Sequence, residues 1–148
     1  MQKQTKIKDI ISKNIKVKKD ILSDIDLLNK IEILSNIIFE KLHLGGKILL
    51  AGNGGSAADA QHIAAEFVGR FEKERPSLAA MSLATDTSIL TAISNDYNYE
   101  DIFSRQISGL GKPNDIFIGL TTSGTSKNIL KAIKEANKKN ISTAVLCG

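Results

Sequence analysis

Lys47-Ile48-Leu49-Leu50-Ala51-Gly52-Asn53-Gly54-Gly55-Ser56-Ala57-Ala58-Asp59-Ala60-Gln61-His62-Ile63-Ala64-Ala65-Glu66 decides the reading of this chain. An apolar run meets a glycine-rich turn, and the turn meets an alanine-rich stretch. The order reads as strand, turn, helix. Such a turn suits a phosphate, because a helix N-terminus offers unpaired backbone N–H groups and a partial positive charge. His62 and Glu66 lie four residues apart on that helix and share a face.

The turn matches neither common nucleotide fingerprint. Gly52-x-Gly54-Gly55 lacks the third glycine of a dinucleotide site, and no acidic residue closes the next strand at Leu83-Ala84-Thr85. No Gly-Lys-Ser/Thr occurs, so it is not a P-loop.

Outward from this stretch, strands and helices alternate. Lys47–Ala51, Leu78–Ala84, Asp115–Thr121 and Ile141–Leu146 read as strands. Helices are expected from Ser56 to about Phe71, Thr87 to about Ser94, Glu100 to Leu110 and Lys127 to Lys139. Asp86 is a good N-cap for the second of these. Alternation of this kind argues for a parallel α/β sheet covered on both faces. Toward the N-terminus, residues from about 5 to 44 read as two helices. Ser23 with Asp26 resembles a capping box that starts the second, and Gly45-Gly46 stops it. The expected division is a helical pair over 1–45, packing in an oligomer, and an α/β domain over 46–148.

Composition excludes several classes. The hydrophobic fraction, 42% of 148 residues, supports a real core. No apolar run approaches the roughly 18–20 residues of a membrane span, so no membrane partner is expected. The start of the chain does not read as a secretory signal. One cysteine, Cys147, precludes an internal disulfide framework and suits the cytoplasm. The net charge is +4, much of it in lysines before residue 20. These read as the solvated face of an amphipathic helix, and with few aromatics no nucleic-acid partner is expected.

A second polar junction, Thr121-Thr122-Ser123-Gly124-Thr125-Ser126, also joins a strand to a helix. In a parallel sheet both turns stand at strand carboxyl ends, where open α/β sheets bind ligands. Together they could hold a sugar phosphate. The Ser/Thr cluster suits the phosphate, and Asn53 and Ser56 suit the sugar. The plainer alternative makes Ser56 and Ser126 only N-caps. His62 with Glu66 is open to three readings: a metal pair, a base with its partner, or a surface i,i+4 contact. A metal would need further ligands, and His43 reads as a helix C-terminal residue.

Gly52-Asn53-Gly54-Gly55-Ser56 through His62, Glu66, Gly69 and Arg70, then Asn95-Asp96, Phe103-Ser104-Arg105 and Thr122-Ser123-Gly124-x-Ser126, resemble the sedoheptulose 7-phosphate (phosphoheptose) isomerase family of the sugar isomerase (SIS) superfamily. The resemblance covers the whole chain. It implies a flavodoxin-like SIS fold with two N-terminal helices, and a homotetramer with active sites between subunits. The implied reaction turns sedoheptulose 7-phosphate into D-glycero-D-manno-heptose 7-phosphate, for bacterial heptose and surface-polysaccharide synthesis. By resemblance, Asn53, Gly54, Gly55, Ser56, Glu66, Arg70, Asn95, Asp96, Thr121, Thr122, Ser123 and Ser126 bind substrate. Glu66 is the implied base, and His62 with Glu66 are implied Zn²⁺ ligands. The family's second acid/base histidine and a metal-binding glutamine belong to a helix beyond Gly148, so the 148-residue chain by itself is expected to be inactive and poorly folded. Two rivals use the same fold: a non-catalytic SIS protein binding the replication initiator, which lacks the carboxylate at Glu66, and a sugar-phosphate-sensing regulatory module.

Overall fold

The computed structural model describes residues 2–148, with side chains from Thr5 onward. By compactness the chain divides into two units, Met1–Ile37 and Ile38–Gly148.

The first unit holds α1 (Gln2–Ser23) and most of α2 (Ile25–His43). The break between them differs in detail from the expected capping box. Ser23 ends α1, its hydroxyl donating to the Lys19 carbonyl at 3.0 Å. The cap is Asp24, whose carboxylate accepts the Leu27 N–H at 2.9 Å. A carboxylate competes well for the free N–H groups of a first turn, and Ser23 sits one position too early. Ile7, Ile10, Ile11 and Ile15 are all more than half exposed, so this unit leaves an apolar stripe uncovered.

The second unit is an α/β sandwich. Four strands, β1 (Ile48–Ala51), β2 (Ala80–Ser82), β3 (Ile116–Thr121) and β4 (Ser142–Cys147), form one sheet in the order β2-β1-β3-β4. Every neighbouring pair is parallel. Leu49 aligns with Met81 on one side and Phe117 on the other. β1 and β3 are buried throughout, as strands covered on both faces must be. β2 is shorter than its apolar run suggests. After Ser82 the chain turns, with Thr85 Oγ1 donating to the Ser82 carbonyl at 3.0 Å.

Side-chain alternation divides the core in two. Leu49, Ala51 and Phe117 join Ile102, Phe103, Ile107, Ile129, Ala132 and Ala136 in one cluster. These last six come from α5 (Ile102–Leu110) and α6 (Lys127–Lys138). Ile48, Leu50, Ile116 and Ile118 point to the other face. There α3 (Gly55–Val68) buries Ala60 and Ala64, residues small enough to bring the helix close to the sheet.

Between β2 and α5 lie α4 (Thr87–Asp96) and a single 3-10 turn, Tyr99–Asp101. Asp86 caps α4 as expected, accepting the Ile89 N–H at 2.9 Å. The helix expected from Glu100 instead starts as this tighter turn, capped by Asn98 on the Glu100 N–H at 2.9 Å. At the amino edge of the sheet, buried Asp115 accepts from the Lys47 ammonium at 2.6 Å and from the Lys47 and Lys112 backbone N–H groups. This staple ties the starts of β1 and β3 together. Among the described residues no helix is long and apolar enough to cross a membrane.

Candidate active site

β1 lies at the point where the strand order reverses. From its carboxyl end the chain passes to α3 on one face. From the carboxyl end of neighbouring β3 it passes to α6 on the other. The two turns diverge and leave a crevice, the usual ligand position in an open α/β sheet.

Asn53, Ser56, Leu120, Thr121, Thr122 and Ser126 line a cavity of about 90 Å³ in this crevice. It continues into a wider recess of about 300 Å³ that adds Asp59, Leu146, Cys147 and Gly148. The turn after β1 is shaped by its glycines. A Cβ at Gly52 would sit 2.4 Å from the Ser56 carbonyl oxygen, so only glycine lets the helix start so near the strand. Gly54, the residue before α3, has φ of 56°, a left-handed conformation that glycine adopts without penalty.

The Ser56 and Ser126 hydroxyls do not cap their helices. Ser126 stands at the N-cap of α6, yet its side chain makes no cap bond. Its Oγ instead lies 3.0 Å from Thr121 Oγ1. Ser123 Oγ accepts from the Thr125 N–H and hydroxyl. Hydroxyls thus cluster at the start of α6, where the helix dipole favours an anion. Ser56 likewise makes no cap, because the N-cap of α3 is Gly54.

His62 and Glu66 form the i,i+4 pair the sequence suggests, with Nε2 to Oε1 at 3.3 Å. Neither lines the crevice cavity of its own chain. Ten residues of helix separate Ser56 from Glu66, about 15 Å at 1.5 Å per residue. The far end of α3 sits at the amino edge of the sheet, where Leu78, just before β2, donates to the Phe67 carbonyl at 3.1 Å. Arg75 closes this end, donating to the Glu66 and Phe67 carbonyls at 2.7 and 2.9 Å. Arg70 is exposed nearby, its Nε 3.6 Å from a Glu74 oxygen.

Asn95 and Asp96 end α4, exposed and joined by a 3.0 Å bond. They do not line the crevice cavity, but lie just before Tyr99, whose hydroxyl donates to Asn53 Oδ1 at 2.8 Å. Two polar residues beside the site carried no sequence signal: Tyr99, and Asn128, buried in the first turn of α6 and bonded to Asn53. An Asn early in a helix is common and unremarkable in a sequence; only the fold brings it to the glycine turn.

The 3-10 turn carrying Tyr99 is clipped to α6 by charge. Lys127 reaches Glu100 at 3.0 Å, and Lys131 reaches Asp101 at 2.8 Å and Glu100 at 3.4 Å. The Lys127 ammonium, with Lys131, holds the Glu100 carboxyl below the usual carboxylate range. Asp101, with Glu100, raises the Lys131 ammonium above the usual lysine range.

The donor set of His62 and Glu66, one imidazole nitrogen and one carboxylate oxygen on one helix face, fits half of a zinc site. Among the described residues no third His, Cys, Asp or Glu joins them.

The SIS domain family matches residues 15–148. A phosphoheptose isomerase of Sulfurimonas denitrificans is 53% identical over 142 residues, covering 96% of this chain and 73% of the relative. One of Aneurinibacillus thermoaerophilus is 54% identical, with 96% and 72% covered. Among solved structures, a phosphoheptose isomerase from Francisella tularensis superposes with a TM-score of 0.94 at 35% identity, covering all of this chain and 76% of the other. One from Neisseria gonorrhoeae gives 0.90 at 39%, with 98% and 74% covered.

Proposed function

The chain belongs to the SIS domain family and, within it, to the phosphoheptose isomerases, and on that footing we propose that it isomerises sedoheptulose 7-phosphate to D-glycero-D-manno-heptose 7-phosphate through an enediol. It is an isomerase of heptose biosynthesis. The observation that carries the site assignment is the crevice itself. Asn53, Ser56, Thr121, Thr122 and Ser126 converge on one cavity beside a helix N-terminus. The hydroxyls and backbone N–H groups after β3, with Ser123 in the same turn, take the phosphate. Asn53 and Ser56, with Gly54 and Gly55 shaping their turn, orient the sugar. Asn95, Asp96 and Arg70 bind substrate from the rim.

Moving a carbonyl from C2 to C1 needs a proton to pass from C1 to C2 and a hydroxyl proton to pass from O1 to O2 through the enediol. Glu66 is the base: its carboxylate takes the C1 proton and returns it to C2, while the O1 hydroxyl proton is transferred to O2. Glu66 lies about 15 Å along α3 from Ser56 and does not line the crevice of its own chain. That offset favours a Glu66 that works in the crevice of another subunit, within a homotetramer. The uncovered apolar stripe of α1 supports assembly. His62 and Glu66 would hold Zn²⁺ together with ligands from elsewhere in the protein. A zinc ion there would supply a Lewis acid for the substrate oxygens. We place the enzyme in the cytoplasm, which its single exposed cysteine suits.

The rival readings on this fold lose ground for a specific reason. A replication-initiator-binding relative lacks the carboxylate, and a sugar-phosphate sensor needs none, whereas Glu66 is present. The test is turnover of sedoheptulose 7-phosphate by the full-length protein beside its Glu66→Gln variant. We expect a loss of about 10²–10⁴-fold in kcat. Full activity in the variant would remove Glu66 as the base.

A further inference from the structure

Asn53 is held by a relay of amides whose direction follows from a single backbone group. Asn128 Oδ1 lies 2.9 Å from the backbone N of Ile129. A backbone N–H can only donate, so this atom of Asn128 must be the oxygen. Its partner across the pair, 3.0 Å away, must then be the nitrogen of Asn53. The remaining pair, Asn128 Nδ2 to Asn53 Oδ1 at 2.8 Å, follows in turn. The Tyr99 hydroxyl, 2.8 Å from the same Oδ1, can only donate. Amide orientation is usually an assignment made from surroundings; here one N–H at the start of α6 decides it for both side chains.

The relay also decides what Asn53 has left to offer. Its carbonyl oxygen accepts twice, from Asn128 and from Tyr99, which uses both lone pairs. A reciprocal amide pair consumes the N–H cis to each carbonyl. One N–H of Asn53, the trans one, remains. Asn53 lines the crevice cavity, whereas Asn128 is buried.

We propose that Asn128 is a positioning residue for the isomerisation: anchored on the Ile129 N–H, it sets the Asn53 carboxamide so that Asn53 presents a donor, never an acceptor, to an oxygen of the substrate. Tyr99 locks the same state from the 3-10 turn. The inference rests on the reading that Asn53 touches the sugar phosphate. It makes the first turn of α6 serve the site twice, through Ser126 at the cavity wall and through Asn128 behind it.

The test uses the full-length enzyme with Asn128→Leu, close in size but without the amide. Asn53 is then free to turn its carbonyl toward the substrate. We expect KM for sedoheptulose 7-phosphate to rise roughly tenfold, the effect of one lost hydrogen bond, with kcat changed less than threefold. A merely structural role would do the opposite, since a partly unfolded sample loses kcat at unchanged KM. The second readout is the side-chain amide signal of Asn53 by ¹⁵N–¹H NMR, expected to move to the position of a solvent-exposed amide in the variant. Should Asn128→Leu fail to fold, the smaller Asn128→Ala removes the amide without overpacking or added charge; the same rise in KM is expected. KM within twofold of the parent in the folded variant overturns the proposal. If the parent enzyme does not turn over this substrate, the functional reading fails and the NMR signal decides alone: a shift upholds the positioning of Asn53, and an unmoved signal ends it.

Discussion

Gly52 shows how much a single position controls. Strand, turn and helix are all local features, but the distance between Ala51 and the first turn of α3 depends on the absence of one Cβ. That carbon would lie 2.4 Å from the Ser56 carbonyl oxygen and 2.8 Å from its Cβ. Gly52→Ala should therefore push α3 away from the sheet and carry Ser56 with it. Overpacking of this kind costs about 1–3 kcal/mol. Urea unfolding should show a lower midpoint, and kcat/KM should fall as well, because Ser56 lines the crevice. Asn128 illustrates the opposite case. Nothing in its neighbours, Lys127 and Ile129, distinguishes it from any polar residue in a first helical turn. Its importance arises from a partner 75 positions away.

Among the elements, the 3-10 turn Tyr99–Asp101 departs most from a simple helical reading, and the crevice depends on it through Tyr99. Its hold on α6 is ionic. Glu100 titrates below the ordinary carboxylate range in the folded protein. Its contribution is therefore complete above that range and lost as pH falls through the lowered value. Lys131 titrates above the ordinary lysine range. Its contribution is complete below that range and lost as pH rises through the raised value. The clip should be closed between these limits. We expect the Tyr99 ring resonances to keep one position across neutral pH and to shift on acidification, and Glu100→Gln to reduce the acid shift to the part that the Lys131–Asp101 pair supplies. A Tyr99 signal indifferent to both changes would mean the turn is held by packing alone. The strand–turn–helix junctions were legible because each depends on a few adjacent residues: apolar run, small turn residues, helix formers. The cap at Asp24 was misplaced by one residue to Ser23, since both side chains are plausible caps and only the path of the chain selects between them.

For the whole molecule, the chief consequence of the topology is that α3 sets Ser56 and Glu66 about 15 Å apart along its axis. Asn53 and Ser56 line the crevice, and Phe67, next to Glu66, accepts from Leu78 just before β2. The proposed tetramer, whose sites combine these two parts of α3 from different subunits, makes a direct prediction. Full-length Glu66→Gln and full-length Ser126→Ala/Thr121→Ala should each be strongly impaired. Mixed oligomers, made by unfolding and refolding the two together, should regain a fraction of the parental activity, because some sites then draw an intact carboxylate from one variant and an intact crevice from the other. Mixtures no better than the sum of their parts would place both halves in one chain.

By itself the sequence determined the alternation of strands and helices, the two polar turns, and the i,i+4 pairing of His62 with Glu66. Each follows from side-chain periodicity or from backbone preferences acting over a few residues. The family resemblance and the chemistry it implies were equally readable, since they reside in short motifs. Only the tertiary structure decided how those motifs stand in space. It brought Thr121, Thr122 and Ser126 to Asn53 and Ser56, because β1 and β3 are neighbours in the sheet. It separated Glu66 from that cleft by the length of a helix, and it placed Asn128 and Tyr99 behind Asn53. The physical reason is the same throughout: a hydrogen bond or a cavity depends on positions in three dimensions, and strand order, which brings distant residues together, is not encoded in any one segment of the chain.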